Sequence, residues 1–356
     1  MNHSQAENSR MGEHDPMHPT LFKIRQNGYY GFMNPSGEVV IEPQYVEAGD
    51  FHNGFARVRL NDQWVPMDNL GRLLLKRIYR TVGPFEQSLA RVQVVRCWGF
   101  MDERGDETIP ARFDAAGDFS ENMAAVQFNG KTGYLDPEGR FALKPVFSSG
   151  GAFRDGLAPA GNHDGLCGFI GTDGHFTIAP AWDECRPFDG PMAVVVSGGR
   201  WGLTDREGRV RVQPQFEFVR GHAHGEFFDG MALAFRDGKY GFVNQEGEIA
   251  VEPMFDLAGD FGEGLALVEI NGAYGYIEKS GKLVIMPKFE DAGVFSDGLA
   301  QVRNNGRWGY IDTDGKFAIP PSFDAAAPFR NGLARTVLGG KWQYLDRVGV
   351  VVWREP

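Results

Sequence analysis

The side chains with the means to do chemistry fall into three groups. Midway along the 356-residue chain, His222, His224 and Glu226 lie close in sequence and offer two imidazoles and a carboxylate, a donor set suited to zinc. H-x-H without a third fixed donor is a weak signal, so a solvated loop is the preferred assignment and no metal is expected. A second group recurs as Asp68, Asp102, Asp136, Asp205, Asp312 and Asp346. Calcium takes about 6 to 8 oxygen ligands, whereas each of these stands alone at the entrance to a hairpin turn, which points to turn capping. The third group is basic: eight cations between residues 57 and 96, among them Arg72, Lys76, Arg77 and Arg80, face three acids. Such a stretch is first of all a solvated edge that keeps strands from associating laterally; an acidic or phosphate-bearing partner is the sharper alternative. Nucleic acid is not expected, because no recognised reading module accompanies the charge.

No catalytic residue emerges. Walker loops, G-x-S-x-G elbows, H-E-x-x-H and Rossmann glycine fingerprints are missing from the sequence, so no enzyme and no cofactor are expected. Candidate partner-binding residues are Arg72, Lys76, Arg77 and Arg80 on the basic stretch, with His163, Trp182, His222 and His224 in the irregular middle. There, Asn162-His163-Asp164-Gly165 carries one extra residue and the segment around His222 carries five. Insertions on a repeat scaffold commonly enlarge loops on a binding face.

With 42% apolar and 23% charged residues, the chain can build a substantial core. The net charge of -11 disfavours general attraction to polyanions. No apolar run reaches the roughly 18 residues of a membrane span, and no secretory apolar stretch is evident, so the cytoplasm is the expected location. Three cysteines are too few for a disulfide framework. Residues 1–20 are polar and expected to form a disordered tail, with one repeat array over 21–356.

The 48 glycines and 28 phenylalanines have a common cause in repetition. An aromatic-Gly-aromatic core recurs at Tyr30-Gly31-Phe32, Trp98-Gly99-Phe100, Tyr240-Gly241-Phe242, Tyr274-Gly275-Tyr276 and Trp308-Gly309-Tyr310, and degenerate copies fill the gaps. The anchors Gly31, Val65, Gly99, Gly133, Gly168, Gly202, Gly241, Gly275, Gly309 and Gln343 are mostly 34 residues apart. Six residues after each comes glycine; further on, each of the nine units from 31 to 342 has two rings and then an alanine, as in Phe113, Phe119 and Ala124.

This pattern resembles the WG-repeat family, whose units read approximately K-W-G-Y-I-D-x-x-G-K-x-V-I-x-P-x-F-D and then F-x-x-G-L-A-x-V, with Lys282 to Asp324 as the nearest copy. The resemblance implies a bacterial β-repeat protein and brings no catalytic residues with it.

One unit should fold as three short strands. Arg307 to Asp312 is rich in aromatic and β-branched residues, Thr313-Asp314-Gly315-Lys316 supplies a turn, and Phe317-Ala318-Ile319 returns, ending at Pro320 and Pro321. A third strand carries Ala334. The anchor glycine is expected to make room for a neighbouring ring, and the rings themselves to be repeated core. The fold class is therefore all-β: tandem 34-residue units in an open, twisted superhelical array, with a closed propeller-like repeat as the alternative. The partial segments Leu21 to Gly28 and Trp342 to Trp353 should cap the array. The function expected is a non-enzymatic scaffold that binds a protein or peptide; recognition of a small molecule or glycan is the alternative.

Overall fold

The computed structural model describes residues 20–52, 54–61, 63–74, 79–219 and 225–356. Among these there is no helix, and hence none long and apolar enough to cross a membrane. The strands form ten small antiparallel sheets, numbered here in chain order: residues 22–45, 55–68, 81–113, 115–147, 157–182, 184–216, 227–255, 257–289, 291–323 and 325–354.

Sheet 9 shows the pattern. Asp291–Ala292 pairs with Ala300–Asn304, which pairs with Arg307–Ile311, which pairs with Phe317–Phe323. Four strands are thus built where the sequence indicates three, because two residues just after the proline-containing strand add an outermost strand. In sheets 2 and 5 this strand shrinks to single bridges, Ala48 to Val58 and Gly150 to Ala160. The sheet is also offset from the sequence unit: the alanine strand of one unit pairs with the aromatic-Gly-aromatic strand of the next.

The prolines do not end the last strand. Phe317–Phe323 runs through Pro320 and Pro321, because the strand is at the sheet edge and bulges there. The bulge also explains the anchor glycine. A Cβ on Gly309 would stand 2.6 Å from the Ile319 carbonyl oxygen and 2.7 Å from the Pro321 nitrogen, and Gly31, Gly99 and Gly202 meet the same obstacle. The space is needed by the partner backbone and not, as expected from the sequence, by a ring. Gln343 occupies an anchor because its partner strand has no bulge there: Gln343 pairs directly with Arg354.

The rings fill the spaces between sheets, and the nine repeat alanines are all nearly inaccessible, none more than 2% exposed. Phe100 meets Phe119 of the next sheet at 4.9 Å, Tyr276 meets Phe295 at 4.9 Å and Tyr310 meets Phe329 at 4.8 Å, all edge to face.

A row of ten sheets has nine interfaces and a ring of ten has one more. The tenth is present. Phe22, Ile24 and Met33 of sheet 1 share a buried cluster with Leu333 and Tyr344 of sheet 10. The Tyr344 hydroxyl donates to the Lys23 carbonyl at 2.8 Å, just as Tyr310 donates to Ala327 and Tyr276 to Gly293 in the next sheet along. Arg25 forms two 3.1 Å hydrogen bonds with Glu355. Phe22 stands where other sheets carry alanine, and it meets Tyr344 at 5.7 Å, as Phe329 meets Tyr310 at the interface before it. The terminal segments, expected to be caps, are therefore the two sides of a seam. Within the all-β tandem array, these contacts are those of the closed, propeller-like arrangement. An open superhelix would leave sheets 1 and 10 each without a facing sheet on one side, whereas here these separate sheets stack face to face.

Candidate interaction surface

In sheets 3, 4, 7, 8 and 9 the hairpin between the first two strands projects a carboxylate or amide toward the same turn of the next sheet. Glu121 accepts from the Asp155 and Gly156 amides, Glu263 from the Gly298 amide at 2.9 Å, and Asp297 from the Gly332 amide at 2.7 Å. Gln87 likewise accepts from the Asn122 amide at 2.9 Å. The polar tips of successive hairpins are thereby fixed in a row.

Across sheets 3, 4 and 5 this row borders an open cleft of about 470 Å³. Its walls carry Glu86, Asp118, Glu121 and Asp155, with Arg154 among them. Asp118 stands 3.0 Å from Arg91 Nε of sheet 3, whose Nη1 donates to the Ala116 carbonyl at 3.1 Å. Burial raises the Asp118 carboxyl above its ordinary value against the opposing pull of Arg91, and Glu86 adds to the rise. Four carboxylates and one guanidinium in an open cleft have the chemistry to take hydrogen-bond donors and cationic groups from a partner. The sequence contains a pointer to these positions: Ala-Gly-Asp-Phe occurs at 48–51, 116–119 and 258–261. In the last copy, burial and the nearby Glu226 push Asp260 up to about 6.

The residues singled out from the sequence do not converge. Lys76, Arg77, His222 and His224 lie outside the described residues. Arg72 is held in a turn of sheet 2, its Nε 2.6 Å from Asp68. Arg80 is exposed at the entrance to sheet 3, its amide donating to the Gln93 carbonyl at 2.8 Å. His163 is on an exposed loop of sheet 5, 3.2 Å from its neighbour Asp164. Trp182 is 7% exposed and belongs to the core between sheets 5 and 6. Its periodic position, fourteen residues after an anchor, already marked it as core. The recurring aspartates do cap turns: Asp312 accepts from the Asp314 amide at 3.1 Å and the Lys316 amide at 2.9 Å, and Asp346 repeats the pattern with Val348 and Val350. Among the described residues no group of three or more His, Cys, Asp and Glu side chains is placed to hold a metal ion. Cys167 and Cys185 form a disulfide between sheets 5 and 6, with Cα atoms 5.8 Å apart, which the cysteine count alone did not suggest.

The family profile described as WG containing repeat matches residues 30–64, 98–131, 133–164, 168–201, 201–240, 240–272, 274–308 and 308–342. The chain belongs to the WG-repeat family. The gap in the matches falls on residues 65–97, where Val65 and Pro66 replace the usual glycine and ring and where, among the described residues, sheet 2 has two strands. No curated protein matches the chain in sequence. Among solved structures, it is similar to one titled a eukaryotic initiation factor, at 11% identity and a TM-score of 0.52, over 95% of this chain and 96% of that one. That likeness shows a shared fold. A second similar structure, BamB from Moraxella catarrhalis, has 12% identity and a TM-score of 0.39, over 86% of this chain and 98% of that one.

Proposed function

We propose that this WG-repeat protein is a non-enzymatic scaffold that binds a protein or peptide on the surface formed by successive sheets. One observation carries the proposal: the repeated residues are spent within the scaffold, while the non-repeated ones are left to the surface. Anchor glycines accommodate a bulge, alanines and rings fill the spaces between sheets, and turn aspartates hold amides. Variable positions such as Glu86, Asp118 and Arg154 line the cleft across three sheets, so one scaffold can present a surface tuned position by position. The cytoplasm of a bacterium is the proposed setting.

Affinity capture with the full chain from its native cells, followed by direct binding to the purified candidate, tests this. A partner whose binding weakens when Glu86 and Asp155 are replaced by Gln and Asn is the expected result. Repeated recovery of no partner, or turnover of a small substrate by the purified chain, would count against it.

A further inference from the structure

The seam between sheets 10 and 1 brings together side chains from opposite ends of the sequence. In the strand that carries the repeat alanine, the next residue is Arg335 in sheet 10, Lys23 in sheet 1, Arg57 in sheet 2 and Arg91 in sheet 3. In the other six sheets the same position holds Ala125, Pro159, Val194, Leu233, Leu267 or Gln301, all buried. Four consecutive grooves of the closed ring therefore carry a cation, and the other six do not. Two stretches far apart in sequence become one arc only through the seam.

Each cation has a half-buried ring at the neighbouring position of the adjacent strand: Trp342, Tyr30, Trp64 and Trp98. Arg335 lies 4.1 Å above the Trp342 ring, Arg91 5.7 Å from Trp98 and Arg57 6.0 Å from Trp64. Arg25 reaches the Trp342 ring at 4.9 Å from across the seam. Lys23, Arg57 and Arg91 each donate to a carbonyl of the next sheet, Ala48, Val82 and Ala116 respectively. These bonds fix where the charges sit but use only part of a guanidinium, which has five N–H donors. The acids in contact with the arc are Asp50 beside Lys23, Asp118 beside Arg91 and Glu355 beside Arg25. Among the described residues, no carboxylate stands within ion-pair distance of Arg57 or Arg335.

We infer that the arc over sheets 10, 1, 2 and 3 is the docking site for an acidic, extended peptide segment. The inference rests on the scaffold reading above and adds to the acidic cleft a second, basic docking surface with its own partner class. Carboxylates at intervals along the peptide meet Arg57 and Arg335 through their remaining N–H groups, and intervening apolar side chains lie against the half-buried rings. The rings of Trp64, Trp98 and Trp342 already have a guanidinium alongside, which leaves little free face for bases to stack on. The net charge of -11 also repels a long polyanion everywhere but here. Both facts favour a short acidic peptide over nucleic acid.

The test uses the full chain, a short glutamate-rich peptide, a single-stranded oligonucleotide of equal charge, and calorimetry with tryptophan fluorescence as a second signal. Binding of the peptide should weaken as salt is raised, and the pair Arg57→Gln and Arg335→Gln should weaken it by about tenfold or more. The exposed pair Arg104→Gln and Arg140→Gln, which removes equal charge from turns of sheets 3 and 4, should leave it unchanged. Arg57→Lys with Arg335→Lys should retain most of the binding, which separates lost charge from lost folding. No peptide binding, equal loss in both Gln pairs, or tighter binding of the oligonucleotide would overturn the inference. A captured native partner that binds the Arg57→Gln, Arg335→Gln protein undiminished would overturn the arc while leaving the scaffold proposal standing; capture of nothing by any form would count against the scaffold itself.

Discussion

Replacing Phe22 by Ala probes the seam at its centre. Phe22 is 8% exposed, packs edge to face on Tyr344 at 5.7 Å, and shares its cluster with Leu333, which is 5% exposed. Truncating a buried phenylalanine typically costs about 3–5 kcal/mol. With a small remaining exposure and one neighbour that can relax, about 3 kcal/mol is the reasonable figure, of which the ring pair supplies about 1 kcal/mol. That loss acts on the opening of sheet 1 from sheet 10. Amide exchange of Tyr29–Met33 and Lys341–Asp346, measured by mass spectrometry under native conditions, should therefore speed up about a hundredfold, since about 1.4 kcal/mol corresponds to each factor of ten. Phe329→Ala, at the equivalent ring pair between sheets 9 and 10, is the internal standard and should have a similar effect on those sheets. If Phe329→Ala accelerates exchange and Phe22→Ala leaves it within twofold of the parent, Phe22 has no partner and the seam argument fails.

Gly309→Ala should destabilise the protein by about 1–3 kcal/mol in urea unfolding, because the new Cβ meets backbone that has no flexible end to yield; a neutral effect would remove the bulge explanation. Glu355 titrates below its ordinary range: burial opposes this, but the hydrogen bonds from Arg25 and the Trp342 amide outweigh it. Its stabilising contribution is present above its unfolded value near 4.5 and is lost as pH falls through the depressed folded value, so a melting profile against pH should flatten in that acid range in Glu355→Gln. Asp260 behaves oppositely. Its raised value near 6 means that stability is favoured below about 3.8 and declines as pH rises through 6, so Asp260→Asn should stabilise the chain at pH 7–8 by about 1–3 kcal/mol and lose that advantage near pH 4. An unchanged melting temperature for Asp260→Asn at pH 8 would contradict the burial of that carboxylate.

Much of the scaffold was legible because it is periodic. Glycine at Gly315 and its equivalents marks a turn with positive φ, and alanine at Ala334 and its equivalents marks buried contacts, so each could be read by counting. What lacks a periodic signature was harder to see. The outermost strand is only two residues long in several sheets, as at Ala325–Ala326, and no alternation can show over so short a span. The bulge at Pro321 depends on the geometry of two strands together. Closure depends on one departure from the repeat, Phe22 in an alanine position, whose meaning emerges only when sheet 10 stands opposite it. The basic stretch from 57 to 96 was visible as composition, but half of the arc comes from Lys23 and Arg335, which sequence distance separates from it. Trp182 shows the reverse case: a residue chosen for its type in an irregular region was already assigned to the core by its register.

The seam itself is open to direct measurement. Spin labels at Ser36, on an exposed turn of sheet 1, and at Val350, at the edge of the last strand of sheet 10, can be placed in a background where the exposed Cys97 is serine. The neighbouring Gly37 already lies against Val352. Pulsed dipolar spectroscopy should then give one short, narrow distance that broadens in Phe22→Ala. A long or broad distribution in the parent chain would contradict a ring closed through sheets 10 and 1.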